Sequence, residues 1–238
     1  MTGYELKNNA RKLMRDNAPK LFFISLLYVV LGTVMAELQI RLPVRADAYD
    51  VYLDDLLSGN LPGFGTIQSY FRPSGIPFAI ALWLLAAVLD TGMKNYCLKI
   101  VRGKTADTKD LFDGFLFFGK ILLLRIVTVV LIVLWSLLLV FPGIAAAYRY
   151  RQAYYILLDD PRKGAMQCIL ESKRLMHKRK LELFLVDLSF IGWLLLDSMI
   201  VIMAPVSFPL PIVSILLTPY HGLTCAAYYD RLIIELSV

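Results

Sequence analysis

Apolar stretches of about 20 residues, each ended by a basic or turn-forming segment, run the length of the chain. Such runs match the roughly 30 Å hydrocarbon core of a bilayer, crossed at about 1.5 Å per helical residue. The pattern predicts six transmembrane helices, at about 21–40, 73–96, 121–141, 143–158, 181–203 and 212–229. The expected fold class is all-α: a polytopic membrane helix bundle, forming a single integral membrane domain over residues 1–238. Residues 4–18 put Leu6, Ala10, Leu13, Met14 and Asn17 on one helical face and Lys7, Arg11 and Arg15 on another. That is the pattern of an interfacial amphipathic helix, and a solvated helix ahead of the first span fits it equally well.

Local signals set the borders. The basic start followed by Leu21–Leu31 resembles a secretion signal, but the apolar run continues to Ile40 and predicts an uncleaved first span. Glu37 and Arg41 are four apart and predict an interfacial ion pair. Residues 42–72 read as an external loop with a short helix near Tyr49–Leu57. Its GNLPGFG stretch lacks the Lys-Ser/Thr ending and the preceding strand of a phosphate loop. Pro73 and Pro77 suit the first turns of span two, and Asp90 and Lys94 predict a second i,i+4 pair. Arg125, one turn inside span three, can snorkel to the interface, and at its depth it is another possible partner for Asp187. Pro142-Gly143 is expected to end that span, and Asp159-Asp160-Pro161 to start a helix with Ala165, Ile169, Ser172 and Met176 on one face. The APVSFPLP segment predicts a tight turn, and Pro219 a kink in span six.

Composition agrees: 58% of residues are hydrophobic and 18% charged, too apolar for a typical soluble domain. The net charge of +6 does not point to nucleic acid, because the charges sit between the apolar runs. The N-terminal segment carries five Lys or Arg, the segment Lys94–Lys120 six, and Arg162–Lys180 seven, with Arg231 near the end. Arg41, Arg45 and Arg72 are the cations on the opposite side. The positive-inside rule then puts both termini in the cytoplasm, with 143–158 crossing despite its shortness. Lys7, Arg11, Arg15, Lys178, Arg179 and Lys180 are the expected contacts to anionic lipid headgroups. The cysteines Cys97, Cys168 and Cys225 are far apart and odd in number, so no disulfide framework is expected. No zinc-like Cys/His spacing is present, and no metal or cofactor is expected.

Ionisable groups at membrane depth are costly and need a partner, a wet cavity or a role. Arg149, Arg151, Asp187, Asp197 and His221 stand out on that ground. From their helix ends, Asp187 lies roughly 10 Å deep, Arg151 roughly 12 Å, His221 roughly 13 Å and Arg149 roughly 15 Å. Arg149 or Arg151 with Asp187 and His221 is the candidate intramembrane polar site. The competing reading is a structural ion pair that pins span four to span five, with His221 packed in place. Asp197, near the outer end of its span, is expected to be exposed. Tyr148, Tyr150, Tyr154 and Tyr155 fit either a pocket lining or an interfacial belt, and Trp83, Trp135 and Trp193 fit membrane anchors. No nucleophile–base pair, HExxH or paired-acid signature appears, so no enzymatic role is expected.

WSLLLVFPGIAAAYRYRQAYYILLDDP, ESKRLMHKRKLELFLVDLSFIGWLLL and TPYHGLTCAAYYDRL resemble the DUF975 family of bacterial membrane proteins. The opening ELKNNARKLMRDN is similar too, although Arg15-Asp16-Asn17-Ala18 stands where that family has a Lys-Gly-Asn-Trp type segment, and His177 where it often has Gly. The resemblance implies a multi-pass protein of a bacterial plasma membrane and carries over no catalytic residues. Two functions follow as expectations: binding or moving a lipid or small solute through the polar site, or a non-catalytic scaffold acting on a partner or the lipid surface. Homo-oligomerisation and a protein partner are left open by the sequence.

Overall fold

The computed structural model describes residues 3–45, 47–59, 71–203 and 211–237. Among the described residues the secondary structure is helical, apart from one isolated bridge between Val44 and Phe71. The helices are α1 (Gly3–Asp16), α2 (Ala18–Arg41), α3 (Ala48–Leu57), α4 (Ile76–Val101), α5 (Phe118–Leu138), α6 (Val140–Tyr150), α7 (Ala153–Asp159), α8 (Ala165–Leu175), α9 (Lys180–Met203) and α10 (Ile212–Ser237). Short 3-10 turns precede α4 and α5, at Pro73–Gly75 and Thr108–Phe117. Four helical stretches are long and apolar enough to cross a membrane: Ala18–Arg41, Pro73–Val101, Thr108–Leu138 and Lys180–Ile200. They cover the first, second, third and fifth predicted spans.

The chain divides into two compact units. The smaller, Val30–Ala86, holds the end of α2, the helix α3 and the start of α4. Arg41 Nε pairs with Glu37 at 2.8 Å there, as the i,i+4 spacing predicts. The predicted helix near Tyr49–Leu57 is α3, whereas most of GNLPGFG lies outside the described residues, as does nearly all of APVSFPLP.

The larger unit comprises Met1–Val29 and Ala87–Val238. α1 lays its apolar face on α10 and α9, with Leu6 and Ala10 buried and Leu13 and Met14 packed beside them. α5 packs against α6 and α8, α7 against α8, and α9 against α10. The expected face of α8 is real: Ala165, Ile169, Ser172 and Met176 are all buried. α4 approaches the Thr108–Phe117 turn so closely that a Cβ on Gly92 would overlap the Leu111 backbone, which restricts that position to glycine. Leu137–Phe141, at the corner between α5 and α6, are large apolar side chains left exposed. Each costs about 25 cal/mol per Å² in water and nothing against lipid tails, which suits a membrane protein.

Three borders differ from expectation. α5 ends at Leu138, and the extended backbone of the next residue, Leu139 (φ −166°, ψ 152°), breaks the helix three residues before Pro142. Pro142 falls in the first turn of α6, where its missing N–H has no helical partner to lose. Gly143 is needed at this corner because a Cβ there would run into the Ser136 side chain. The predicted span 143–158 is two short helices, α6 and α7, parted by a turn at Arg151–Gln152. After Asp160 the chain makes a turn, closed by Arg162 N–H to Asp160 Oδ1 at 3.1 Å. α8 therefore starts at Ala165, where Gln167 Oε1 accepts the Gly164 N–H at 3.1 Å, rather than at Pro161.

Candidate functional site: a polar cluster in a half-apolar cavity

His221 and Cys225 stand one turn apart on α10, so the helical period presents both to the same neighbour. That neighbour is α9, which contributes Asp187. Arg151 reaches the pair from the break between α6 and α7, where the chain leaves the helical path. The four groups meet. Arg151 Nη1 donates to Asp187 Oδ2, and Tyr148 OH donates to the same oxygen at 3.0 Å. His221 Nε2 lies 2.9 Å from Asp187 Oδ1. Arg151 Nη2 is 3.4 Å from His221 Nε2 and 3.4 Å from Cys225 Sγ. Protonated at Nε2, His221 donates to Asp187; with its proton on Nδ1, Nε2 accepts from Arg151. Phe190 sets its ring edge-on to His221, with centroids 5.1 Å apart, and so fixes the imidazole plane.

These side chains help to line a cavity of about 670 Å³ in the larger unit. The lining also includes Asp90 and Lys94, paired as the sequence predicts, with Lys94 Nζ 5.1 Å from the centre of the Tyr154 ring. Arg125, Tyr28, Tyr155, Ser214 and Thr218 add further polar atoms, and Ile132, Ile191, Leu194 and Leu217 apolar wall. Arg125 thus joins the cavity lining, the second of its two expected places. Tyr148, Tyr154 and Tyr155 line the cavity and Tyr150 is buried, so the pocket reading of the tyrosines holds against the interfacial belt. Three cations, Lys94, Arg125 and Arg151, face two carboxylates, Asp90 and Asp187, in addition to His221.

Of the predicted site residues, Arg151, Asp187 and His221 come together, and Arg149 does not join them. Its guanidinium sits 5.8 Å from the centre of the Trp135 ring, and its backbone carbonyl accepts the Ser172 hydroxyl at 2.8 Å. Cys225, Asp90 and Lys94 belong to the site although the sequence singled out none of them for it. The His221–Cys225 spacing is a local signal for the first; the others depend on a cavity that no spacing shows.

Asp197 departs furthest from expectation. It is buried, not exposed, and its carboxylate accepts the N–H groups of Val213 and Ser214 at 3.0 and 3.2 Å, and the Ser214 hydroxyl. Those N–H groups belong to the first turn of α10, so Asp197 caps that helix from α9. Among the expected headgroup contacts, Lys7 donates to Ser189 Oγ and lies over the Phe190 ring, and Arg11 lies over Tyr220. Burial, reinforced by the neighbouring Arg11 charge, lowers the Lys7 pKa. Arg179 pairs with Glu235, while Arg15 and Lys178 are exposed and Lys180 is half-exposed. Lys178 takes a left-handed φ of 62° where α8 turns into α9.

A second charged group ties the ends of α4, α7 and α10 together. Arg102 forks onto Asp159 at 2.6 and 3.0 Å and reaches Asp230 at 2.9 Å, while Tyr229 OH donates to Asp159 at 2.8 Å. The Asp159 hydrogen bonds raise the Arg102 pKa, and burial of the guanidinium opposes them. This cluster lies apart from the cavity lining and reads as structural.

Helical throughout its described residues apart from one isolated bridge, with four helices long and apolar enough to cross a membrane and a charged cluster in a part-apolar cavity, the chain has the character of a helical membrane protein. The profile of the family described as "Protein of unknown function (DUF975)" matches residues 137–235, so that segment of the chain is similar to the family. The match takes in Arg151, Asp187, His221 and Cys225. Comparisons with curated proteins and with solved structures find no match.

Proposed function

We propose that this chain is a multi-pass membrane protein that binds an anionic amphiphile, a lipid or lipid-like solute, in its internal cavity. The observation that carries this reading is the lining of the 670 Å³ space: Lys94, Arg125 and Arg151 outnumber Asp90 and Asp187 there, and Ile132, Ile191, Leu194 and Leu217 supply apolar surface. A volume of that size is in the range of pockets that enclose small ligands, about 300–1,000 Å³. An acidic headgroup would meet Lys94, Arg125 and Arg151, and its acyl portion the Ile132, Ile191, Leu194 and Leu217 side. Purified protein in neutral detergent is expected to bind dihexanoyl phosphatidylglycerol at least about tenfold more tightly than dihexanoyl phosphatidylcholine, by native mass spectrometry. Glutamine at any one of the three cationic positions should remove most of that preference. Equal binding of the two lipids, or a preference untouched by all three substitutions, overturns the reading.

The same proposal takes all six predicted segments as crossing, with both termini in the cytoplasm of a bacterial cell. The asymmetry of Lys and Arg supports it. Under that topology α6 and α7 form one broken crossing whose interruption lies inside the protein at Arg151. Non-helical backbone is tolerated at membrane depth only in such surroundings. A cysteine introduced at Lys173 should be inert to a membrane-impermeant maleimide on intact cells and react after permeabilisation. Labelling of intact cells sinks the six-crossing arrangement. A second role, docking to a partner or to anionic lipid, is favoured by one observation: Arg162, Lys173, Arg174 and Lys178 are all exposed around α8.

A further inference from the structure

Three potential metal donors converge in the polar cluster: Asp187 Oδ, His221 Nε2 and Cys225 Sγ all lie within 4.8 Å of one another. Asp187 Oδ1 is 2.9 Å and Cys225 Sγ 3.6 Å from His221 Nε2. A tetrahedral zinc-type centre with bonds of about 2.0–2.3 Å needs donors roughly 3.3–3.8 Å apart. Small rotamer shifts therefore close the difference. The donors also already share a cation. One guanidinium, that of Arg151, contacts all three: Nη1 donates to Asp187, and Nη2 lies 3.4 Å from both His221 Nε2 and Cys225 Sγ.

We infer that Asp187, His221 and Cys225 form a binding site for a thiophilic divalent cation of the zinc class, and that Arg151 is the internal cation with which the metal competes. The donor chemistry selects the ion. Thiolate and imidazole favour zinc or cobalt, whereas magnesium and calcium want oxygen ligands. Charge balance sets the exchange. The Cys225 thiol releases its proton to water in the cavity, and the metal then faces one thiolate and one carboxylate, a neutral centre. The guanidinium is released into the cavity that it already lines, where Asp90 offers a second carboxylate. Three protein ligands leave a fourth position on the cavity side for water or a ligand atom. The inference goes beyond amphiphile binding and does not depend on it, since it concerns these donors alone.

Cobalt(II) tests it, because a thiolate–cobalt bond gives a near-ultraviolet charge-transfer band that carboxylate and imidazole ligands do not. Chelator-treated full-length protein in detergent, titrated with cobalt chloride, should develop that band at one equivalent and lose it when zinc is added. Cys225→Ser should abolish the band, and His221→Ala should weaken cobalt binding by at least about tenfold. Arg151→Gln should strengthen it by about tenfold or more, because the competing cation is gone. A residue with a merely structural role would not improve affinity when removed. Should Cys225→Ser not fold, the Cys97→Ser/Cys168→Ser protein keeps Cys225 as its single thiol, and the band must persist there. Absence of the band from both the native protein and Arg151→Gln, or its survival in Cys225→Ser, overturns the inference. Loss of lipid preference with the band intact removes the amphiphile reading alone.

Discussion

Asp187→Ala is expected to destabilise the protein by about 3 kcal/mol, seen as a fall of about 6–12 °C in Tm in detergent. The carboxylate is the acceptor on which Arg151, Tyr148 and His221 all converge. Its removal strands a guanidinium that α6 and α7 cannot easily turn out to solvent. Breaking a buried pair from one side costs about 3–5 kcal/mol, because a charge is left uncompensated. Here the side chains of Arg151 and Asp187 keep 28% and 20% of their exposure, so the low end applies. The double variant Asp187→Leu/Arg151→Met removes both charges at similar volume and should recover most of the loss. A double variant as unstable as the single one would show that the pair is not the cause. A recovered fold that no longer prefers the anionic lipid would separate the structural role of the pair from its role in binding, since the two make opposite demands on the same substitution.

The membrane-length helices were legible because their signal is local. Twenty apolar residues read the same wherever the rest of the chain lies, and α2, α4, α5 and α9 follow the predicted spans closely. The i,i+4 pairs Glu37–Arg41 and Asp90–Lys94 and the buried face of α8 are local for the same reason. What failed depended on a neighbour. The end of α5 is decided by the close approach of Gly143 to Ser136 across a corner, and Pro142 marks the right region with the wrong residue. For Arg125 the sequence left two readings open, snorkelling to the interface or joining the polar site, because a helix considered alone does not choose between them. The packed unit offers a polar cavity.

The site was legible in part. Arg151, Asp187 and His221 stood out because charge at membrane depth is costly. Depth counting placed Arg149 with them, yet it cannot choose between two arginines separated by a single residue at a helix break. Arg151 sits in the turn and faces α9, while Arg149, still within α6, faces Trp135. Cys225 was read for disulfides and for zinc-like Cys/His spacing, and neither pattern was found. Its place one turn after His221 acquires meaning once α9 brings Asp187 alongside, 34 residues away from His221 in the chain. A donor set divided between helices leaves no sequence spacing to find.

Asp197 gives the second large effect, and its misreading explains why. From its place near the end of span five it should face water; in the fold it turns back onto the first turn of α10. A helix begins with N–H groups that have no partner in the helix, and here they are buried beside α9. Asp197→Ala should therefore cost more than an ordinary capping substitution. Loss of a cap costs about 0.5–2 kcal/mol, and each buried donor left unpaired about 1–3 kcal/mol. With two N–H groups and the Ser214 hydroxyl affected, and some relief from no longer burying a charge, about 2–4 kcal/mol remains. That corresponds to a Tm lower by about 5–15 °C in detergent. Asp197→Asn keeps one acceptor oxygen and should fall between the native protein and alanine. The neighbouring Ser198 is exposed and bonds only within α9, so Ser198→Ala serves as the control with little expected change. If Asp197→Ala melts with that control, the carboxylate does not hold α10 against α9. The alignment of His221 and Cys225 with Asp187, about two to three turns further along α10 and about three turns back along α9, would then need another anchor.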